Sequence, residues 1–215
     1  MRHLNLVKPL SLLKEEFSHT DELHLDSFGL SFTRGTLIEI GGASSSGKTS
    51  LLLSILSKLT SVGEICALVD STGGFDPCSA FLAGVELENL LWVRCGGDIE
   101  KAFMAADYLV QAKGFGAVWL NLSCLPKHQL RFVPRNHWYR YRTRVKETPT
   151  LFLVTTEEPI VGSASQQSFL FSRKPAEWFG TGRFKLLKEL RSRLISRKQF
   201  YEPMAAEIKF DYTNV

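Results

Sequence analysis

Ten residues early in the chain, 41-GGASSSGKTS-50, bring together glycines, small hydroxyl residues, a lysine and a threonine. Within them Gly42, Ala43, Ser44, Ser45, Ser46, Gly47, Lys48 and Thr49 satisfy the pattern G-x-x-x-x-G-K-[ST] in full, and Ser50, counted with them as a nucleotide-binding candidate, leads into an apolar run. That pattern has the chemistry of a phosphate cradle. Gly42 and Gly47 allow a tight backbone that turns successive N–H groups inward, where they meet phosphate oxygens at a helix N-terminus. Lys48 is placed to reach the β and γ phosphates of a nucleoside triphosphate, and the Thr49 hydroxyl to ligate Mg²⁺.

Such a loop needs a strand before it and a helix after it. Gly35 and Gly41 bracket a strand, TLIEI, and an apolar helix is predicted from Thr49 to about Leu59. Four further apolar runs follow, 64-EICALVD-70, 90-LLWVRC-95, 116-GAVWLNL-122 and 150-TLFLVTT-156. Each is short and bounded by turn or polar residues, and nearly continuous apolar strands belong to a parallel sheet buried on both faces. Residues 99 to 112, with Ala102, Met104, Ala105, Tyr108 and Leu109, read as a covering helix. The expected architecture is α/β, a mostly parallel twisted sheet flanked by helices. Beyond Gln166, FLFSR and AEIKF read as antiparallel edge strands, and 183-RFKLLKELRSRL-194 as a helix or a basic hairpin. Residues 4 to 17 suggest a short amphipathic helix with Leu6, Leu10, Leu13 and Phe17 on one face. The chain divides into an N-terminal arm over 1–26 and a core with C-terminal edge strands over 27–215.

Composition sets wide bounds. The chain has 215 residues, 44% of them hydrophobic, and a formal charge of +4, enough for one domain with a real core. Cys66, Cys78, Cys95 and Cys124 form no CxxC pair, so they read as reduced, mostly buried thiols of a cytoplasmic protein rather than a metal site. The N-terminus has neither the apolar stretch nor the cleavage site of a signal peptide, and no run approaches a membrane span.

Two phrases carry a resemblance: EIGGASSSGKTSLLL, and CALVDSTGGFDPCSAFLAGVELENLLWVRC with Gly84-Val85 and Asn89-Leu90-Leu91 before its last strand. Together they resemble the RecA recombinases over roughly residues 27 to 156. The resemblance implies a RecA-like phosphate-loop NTPase core binding ATP and Mg²⁺, with Asp76-Pro77 bordering the adenine. It also locates two departures. The family's catalytic glutamate falls on Thr72, two residues after Asp70, and a hydroxyl without an adjacent base is a poor general base. The family's second acid, at the Mg²⁺ site, falls on Asn121, whose amide oxygen brings no negative charge. Glu157 and Glu158, after the last core strand, are the acids that could substitute. Ser79 stands where the family has an aromatic residue.

The stretch 127-KHQLRFVPRNHWYRYRTRVKE-147 is strongly basic. Pro134 can start a helix there, with Trp138, Tyr141 and Val145 sharing an apolar face and Arg140, Arg142 and Arg144 projecting elsewhere. These arginines suit nucleic-acid phosphates or an acidic partner, or form a solvated face. The loop after the last core strand is short for DNA binding, and the chain resembles a trimmed RecA core. In this it is similar to the ImuA-type and SulA-like accessory proteins of bacterial DNA repair and SOS mutagenesis. That likeness implies RecA, an error-prone polymerase and single-stranded DNA as partners, and allows a homo-oligomer. Three readings stay open at this point: a nucleotide-binding adaptor with little or no hydrolysis, a DNA-dependent ATPase or a phosphotransferase with relocated carboxylates, and an assembly protein with an empty loop in which Lys48 pairs with a nearby carboxylate such as Asp70.

Overall fold

The computed structural model describes residues 22–146, 148–180, 183, 186–196 and 205–211. The amphipathic arm expected over residues 4 to 17 lies outside them. The chain opens on an antiparallel hairpin, β1 (Glu22–Leu25) and β2 (Leu30–Thr33). The alternation in β1 buries Leu23 and Leu25 in the main core, so the hairpin crosses the boundary expected at residue 26 and belongs to the body of the protein.

The body follows as β3 (Thr36–Gly42), α1 (Lys48–Thr60), β4 (Cys66–Asp70), α2 (Pro77–Leu82), β5 (Leu90–Arg94), α3 (Ile99–Ala112), β6 (Ala117–Asn121), α4 (Lys127–Arg131), α5 (Arg135–Val145) and β7 (Leu151–Thr156). Then come β8 (Gln167–Arg173), β9 (Glu177–Phe179), β10 (Leu186–Ser196) and β11 (Ala205–Asp211). The described strands of the central sheet run β11-β10-β8-β3-β7-β6-β4-β5, with β9 paired to β10. From β8 to β5 every pairing is parallel, and the pairings of β10 with β8, β9 and β11 are antiparallel.

The apolar runs explain this order. β3, β4 and β7 are buried at every position, as strands covered on both faces must be. β5 stands at the edge, and Leu91 is exposed there. One face of the sheet packs Ile38, Ile40, Leu68 and Phe169 on Leu51, Leu52, Ile55 and Leu56 of α1. The other packs Leu37, Val69, Val118 and Phe152 under α3 and α5. In α5, Trp138, Tyr141 and Val145 are buried as their spacing predicts, and the Tyr141 hydroxyl donates to the Phe103 carbonyl at 2.8 Å.

The covering helix forms as expected, but details of the reading need correction. The buried face of α3 is Ala102, Phe103, Ala106, Leu109 and Val110, while Met104 and Tyr108 are exposed. FLFSR is an interior strand, because β8 pairs with β3 on one side and β10 on the other. The basic segment after residue 183 is the long strand β10 rather than a helix: Leu190, Ser192 and Leu194 alternate inward and its charged residues outward, a period of two that a helix cannot satisfy. Cys66 and Cys95 are buried, but Cys78 and Cys124 are exposed, and all four are free thiols.

Candidate nucleotide-binding site

The carboxyl ends of β3, β4, β6 and β7 lie side by side, which is where open α/β sheets hold ligands. β3 delivers the glycine-rich loop to that edge and α1 leaves from it. Gly47 (φ 94) precedes the first helical residue, and Ser45 (φ 57) is a left-handed non-glycine. Alternating hand along the backbone gathers N–H groups into an anion-binding hollow. Gly42 is the position where glycine is required: at φ 150, an added Cβ would stand 2.6 Å from the Phe171 carbonyl of β8. Ala43, Ser44, Ser45 and Thr49 are exposed at the mouth, Ser50 is half-buried, and Ser46, Gly47 and Lys48 form the floor.

The Lys48 side chain is only 6% exposed. Its ammonium donates to the Gly42 carbonyl and, at 2.9 Å, to the Thr156 carbonyl at the end of β7. Burial pushes its pKa below that of an ordinary lysine, while the nearby Glu157 charge pulls it back up. Two hydroxyls beside it, Ser46 Oγ and Thr156 Oγ1, are buried with no hydrogen-bond partner. Buried polar atoms are seldom left unpaired, and phosphate oxygens are acceptors both could serve. On this observation the residues present fit a bound polyphosphate.

Asp70 does not pair with Lys48. Its carboxylate is fully buried and accepts the N–H groups of Gly73 (3.0 Å), Gly74 (3.3 Å) and Phe75 (3.0 Å). It is a staple for the turn after β4, and this removes the empty-loop arrangement of the two residues. Thr72 is exposed on that turn. Asn121 ends β6 next to Thr155 of β7, and its amide oxygen accepts from Thr155 Oγ1 (2.9 Å) and from the Ser123 N–H (3.2 Å). Trp119 Nε1 in turn donates to Thr155 Oγ1 at 2.9 Å. A metal bound by Asn121 would displace one of two existing bonds. Among the described residues no three His, Cys, Asp or Glu side chains converge on one point.

Of the two later acids, one faces the loop. Ser44 Oγ lies 3.4 Å from Glu157 Oε1, and the Glu157 carbonyl accepts the Gly42 N–H at 3.0 Å. Glu158 is exposed and paired with Lys127 at 2.6 Å. Asp76 caps α2, accepting the N–H groups of Cys78 and Ser79, with Pro77 in the first turn. The Ser79 hydroxyl bond, together with those two, holds the Asp76 carboxyl below the usual range.

The arginines of α5 separate. Arg140 and Arg144 both engage Asp107 of α3, an acid the sequence reading overlooked because it lies on another element. Arg142 turns the other way, donating to the Ser163 carbonyl at 3.3 Å. On that side Arg135 and Tyr139 line a cleft of about 510 Å³ with Pro159, Ile160 and the buried Glu39. Glu39 was also overlooked. Its one signal was a charge inside an otherwise apolar strand. Its carboxylate accepts the N–H groups of Ile160 (2.6 Å) and Val161 (2.8 Å) and the Ser168 hydroxyl (3.1 Å), tying the post-β7 loop to β3. No described helix is long and apolar enough to cross a membrane.

A family model, the RecA N-terminal domain, matches residues 16–124. Protein RecA of Rubrobacter xylanophilus is 39% identical over 85 residues, which span 40% of this chain and 24% of that protein. Protein RecA of Arthrospira platensis is 41% identical over 101 residues, 46% of this chain and 27% of its own length. Protein RecA of Borrelia hermsii is 36% identical over 83 residues, 39% of this chain and 23% of that protein. The chain thus spans about a quarter of the length of the curated relatives it matches.

Proposed function

The chain belongs to the RecA family, and from that premise we propose that it is a nucleotide-binding protein of DNA repair that holds ATP with Mg²⁺ and hydrolyses it slowly or not at all. One observation carries this reading: beside a complete glycine-rich loop, the turn after β4 carries Thr72 and the end of β6 carries Asn121 where the resemblance calls for carboxylates. Gly42 through Thr49 would hold the phosphates, with Lys48 as their cation and Thr49 as the ligand to Mg²⁺. Asp76 and Pro77 would border the base. Bound Mg²⁺ would neutralise phosphate charge. The residues of this chain bind and orient, and neither Thr72 nor Asn121 can take a proton from water. Loss of a general base alone costs roughly 10²–10⁴ in rate.

A protein of this kind acts through what it touches. RecA itself, an error-prone polymerase and single-stranded DNA are the proposed partners, in the cytoplasm, in the SOS response, with self-association as a further form. Arg142 and Arg135 are the side chains best placed for a polyanion, since Asp107 neutralises Arg140 and Arg144 in part. Calorimetric titration with Mg–ATP and a phosphate-release assay, each with and without single-stranded DNA, test the reading. Binding without turnover supports it. Robust phosphate release that DNA stimulates favours the second reading, an ATPase in which Glu157 serves as the relocated carboxylate. The approach of Glu157 to Ser44 is the observation behind that alternative.

A further inference from the structure

The phosphate loop rests on the C-terminal extension. Gly42 lies so close to β8 that a Cβ would strike the Phe171 carbonyl. Four residues later, the Ser46 carbonyl accepts a hydrogen bond from the Ser192 hydroxyl of β10 at 2.6 Å. Ser192 is 0% exposed and Ser46 1%, so water does not compete for this bond. Ser192 faces inward because β10 alternates, with Leu190 and Leu194 beside it on the buried face.

The peptide that joins Ser46 to Gly47 is trans, as no cis bond occurs in the described chain. In a trans peptide the C=O and the following N–H share one plane and point in opposite directions. Pinning the Ser46 oxygen onto β10 therefore turns the Gly47 N–H away from β10. Gly47 is the residue at φ 94 that immediately precedes α1. Without an anchor, a peptide flanked by glycine is free to flip.

We infer that Ser192 is a positioning residue of the phosphate site: its hydroxyl fixes the Ser46–Gly47 peptide so that the Gly47 N–H is presented to phosphate before any ligand arrives. The C-terminal strands are then part of the binding site, although no residue of theirs need touch the ligand. This deepens the nucleotide-binding reading and rests on it.

The test uses the full chain and three forms: wild type, Ser192→Ala, and Ser196→Ala. Ser196 lies on the same strand and the same face and is also buried, at 3% exposure, but among the described residues its hydroxyl makes no hydrogen bond to the loop. Calorimetry with Mg–ATP gives affinity, thermal melting gives stability, and an ¹H–¹⁵N spectrum of the nucleotide-free protein reports the Gly47 amide. Ser192→Ala should weaken Mg–ATP about five- to tenfold, the weight of one buried hydrogen bond, and shift the Gly47 amide. Ser196→Ala should leave both unchanged even where it lowers the melting temperature. A purely structural Ser192 would lower melting alone, and an affinity equal to wild type in Ser192→Ala overturns the inference whatever the amide does. If wild type binds no Mg–ATP, the nucleotide reading falls by itself. The Gly47 amide then decides the positioning claim, an unmoved resonance overturning it and a moved one supporting it.

Discussion

Replacing Lys48 by Met separates the two roles open to a buried lysine, ligand for phosphate and plug for the fold. In the free protein its ammonium holds the Gly42 and Thr156 carbonyls. Met fills similar space and leaves those oxygens without that donor, at roughly 1 kcal/mol each. It also removes a charge whose burial is unfavourable, as the lowered pKa shows. The two effects oppose each other, so the stability of the free protein should change by about 1 kcal/mol or less. Binding should change far more. Two charge-assisted bonds to phosphate contribute roughly 1.5–3 kcal/mol each, so affinity should drop at least about a hundredfold. Thermal shift displays both at once. At ATP a hundred times its Kd, wild type gains about 2.7 kcal/mol, a rise of roughly 5–10 °C for a chain of this size. Lys48→Met at the same ATP should gain about 0.4 kcal/mol, close to one degree. The same shift in variant and wild type would refute binding through this loop. A large fall in melting temperature without ligand would refute the cancellation and make Lys48 a structural plug.

Glu157→Gln should strengthen ATP binding in the absence of Mg²⁺ several-fold, by removing a negative charge near the phosphate hollow, and should abolish any slow phosphate release if Glu157 is its base; unchanged values of both dismiss any role for Glu157. Affinity for Mg–ATP should decline on the alkaline side sooner than an ordinary lysine pKa of 10.5 allows, because the Lys48 pKa is lowered and only the protonated amine binds phosphate; pH titration by calorimetry checks it. Cys66 is held protonated by burial, its pKa raised from 9.0 to about 12. Above pH 9 the unfolded thiol ionises while the folded one does not, so stability should fall between those values by up to about 1.4 kcal/mol per pH unit, and denaturant melts of Cys66→Ala should show a flatter slope. Arg135→Glu with Arg142→Glu should weaken single-stranded DNA or acidic-partner binding with little loss of stability, whereas Arg140→Glu with Arg144→Glu should cost about 1 kcal/mol or more through Asp107; unchanged binding in Arg135→Glu with Arg142→Glu would return the helix to a solvated face.

The sequence displayed the parts of this site whose signal is local. The glycine-rich loop between its strand and helix was legible because motif and context lie within about twenty-five residues, and the buried strands because parallel pairing demands unbroken apolar runs. The apolar face of α5 followed from helical spacing alone. What escaped was set by distant partners. Asp107 neutralises arginines more than thirty residues away. Ser192 is an unremarkable serine until β10 is laid against the loop. β10 itself reads as helix or hairpin because its outward charges mask a period of two. The inward face of α3 was misplaced by one step, since Met104 and Tyr108 are as apolar as the residues that do pack, and only the sheet beneath decides between them.

The sheet order also governs when the site can exist during synthesis. β3, the first strand of the sheet to be made, ends up between β7 and β8, more than a hundred residues downstream. The loop it carries is completed by Ser192, 146 residues after Ser46. At about 5–20 residues per second, roughly 7 to 30 seconds separate the two on the ribosome. Until β7 and β8 have been made, β3 is an apolar strand with both hydrogen-bonding edges unpaired, the kind of segment that chaperones cover and that aggregates when uncovered. A chain that stops short of β10 would carry every residue of the phosphate motif and still lack the anchor that turns one of its amides toward phosphate.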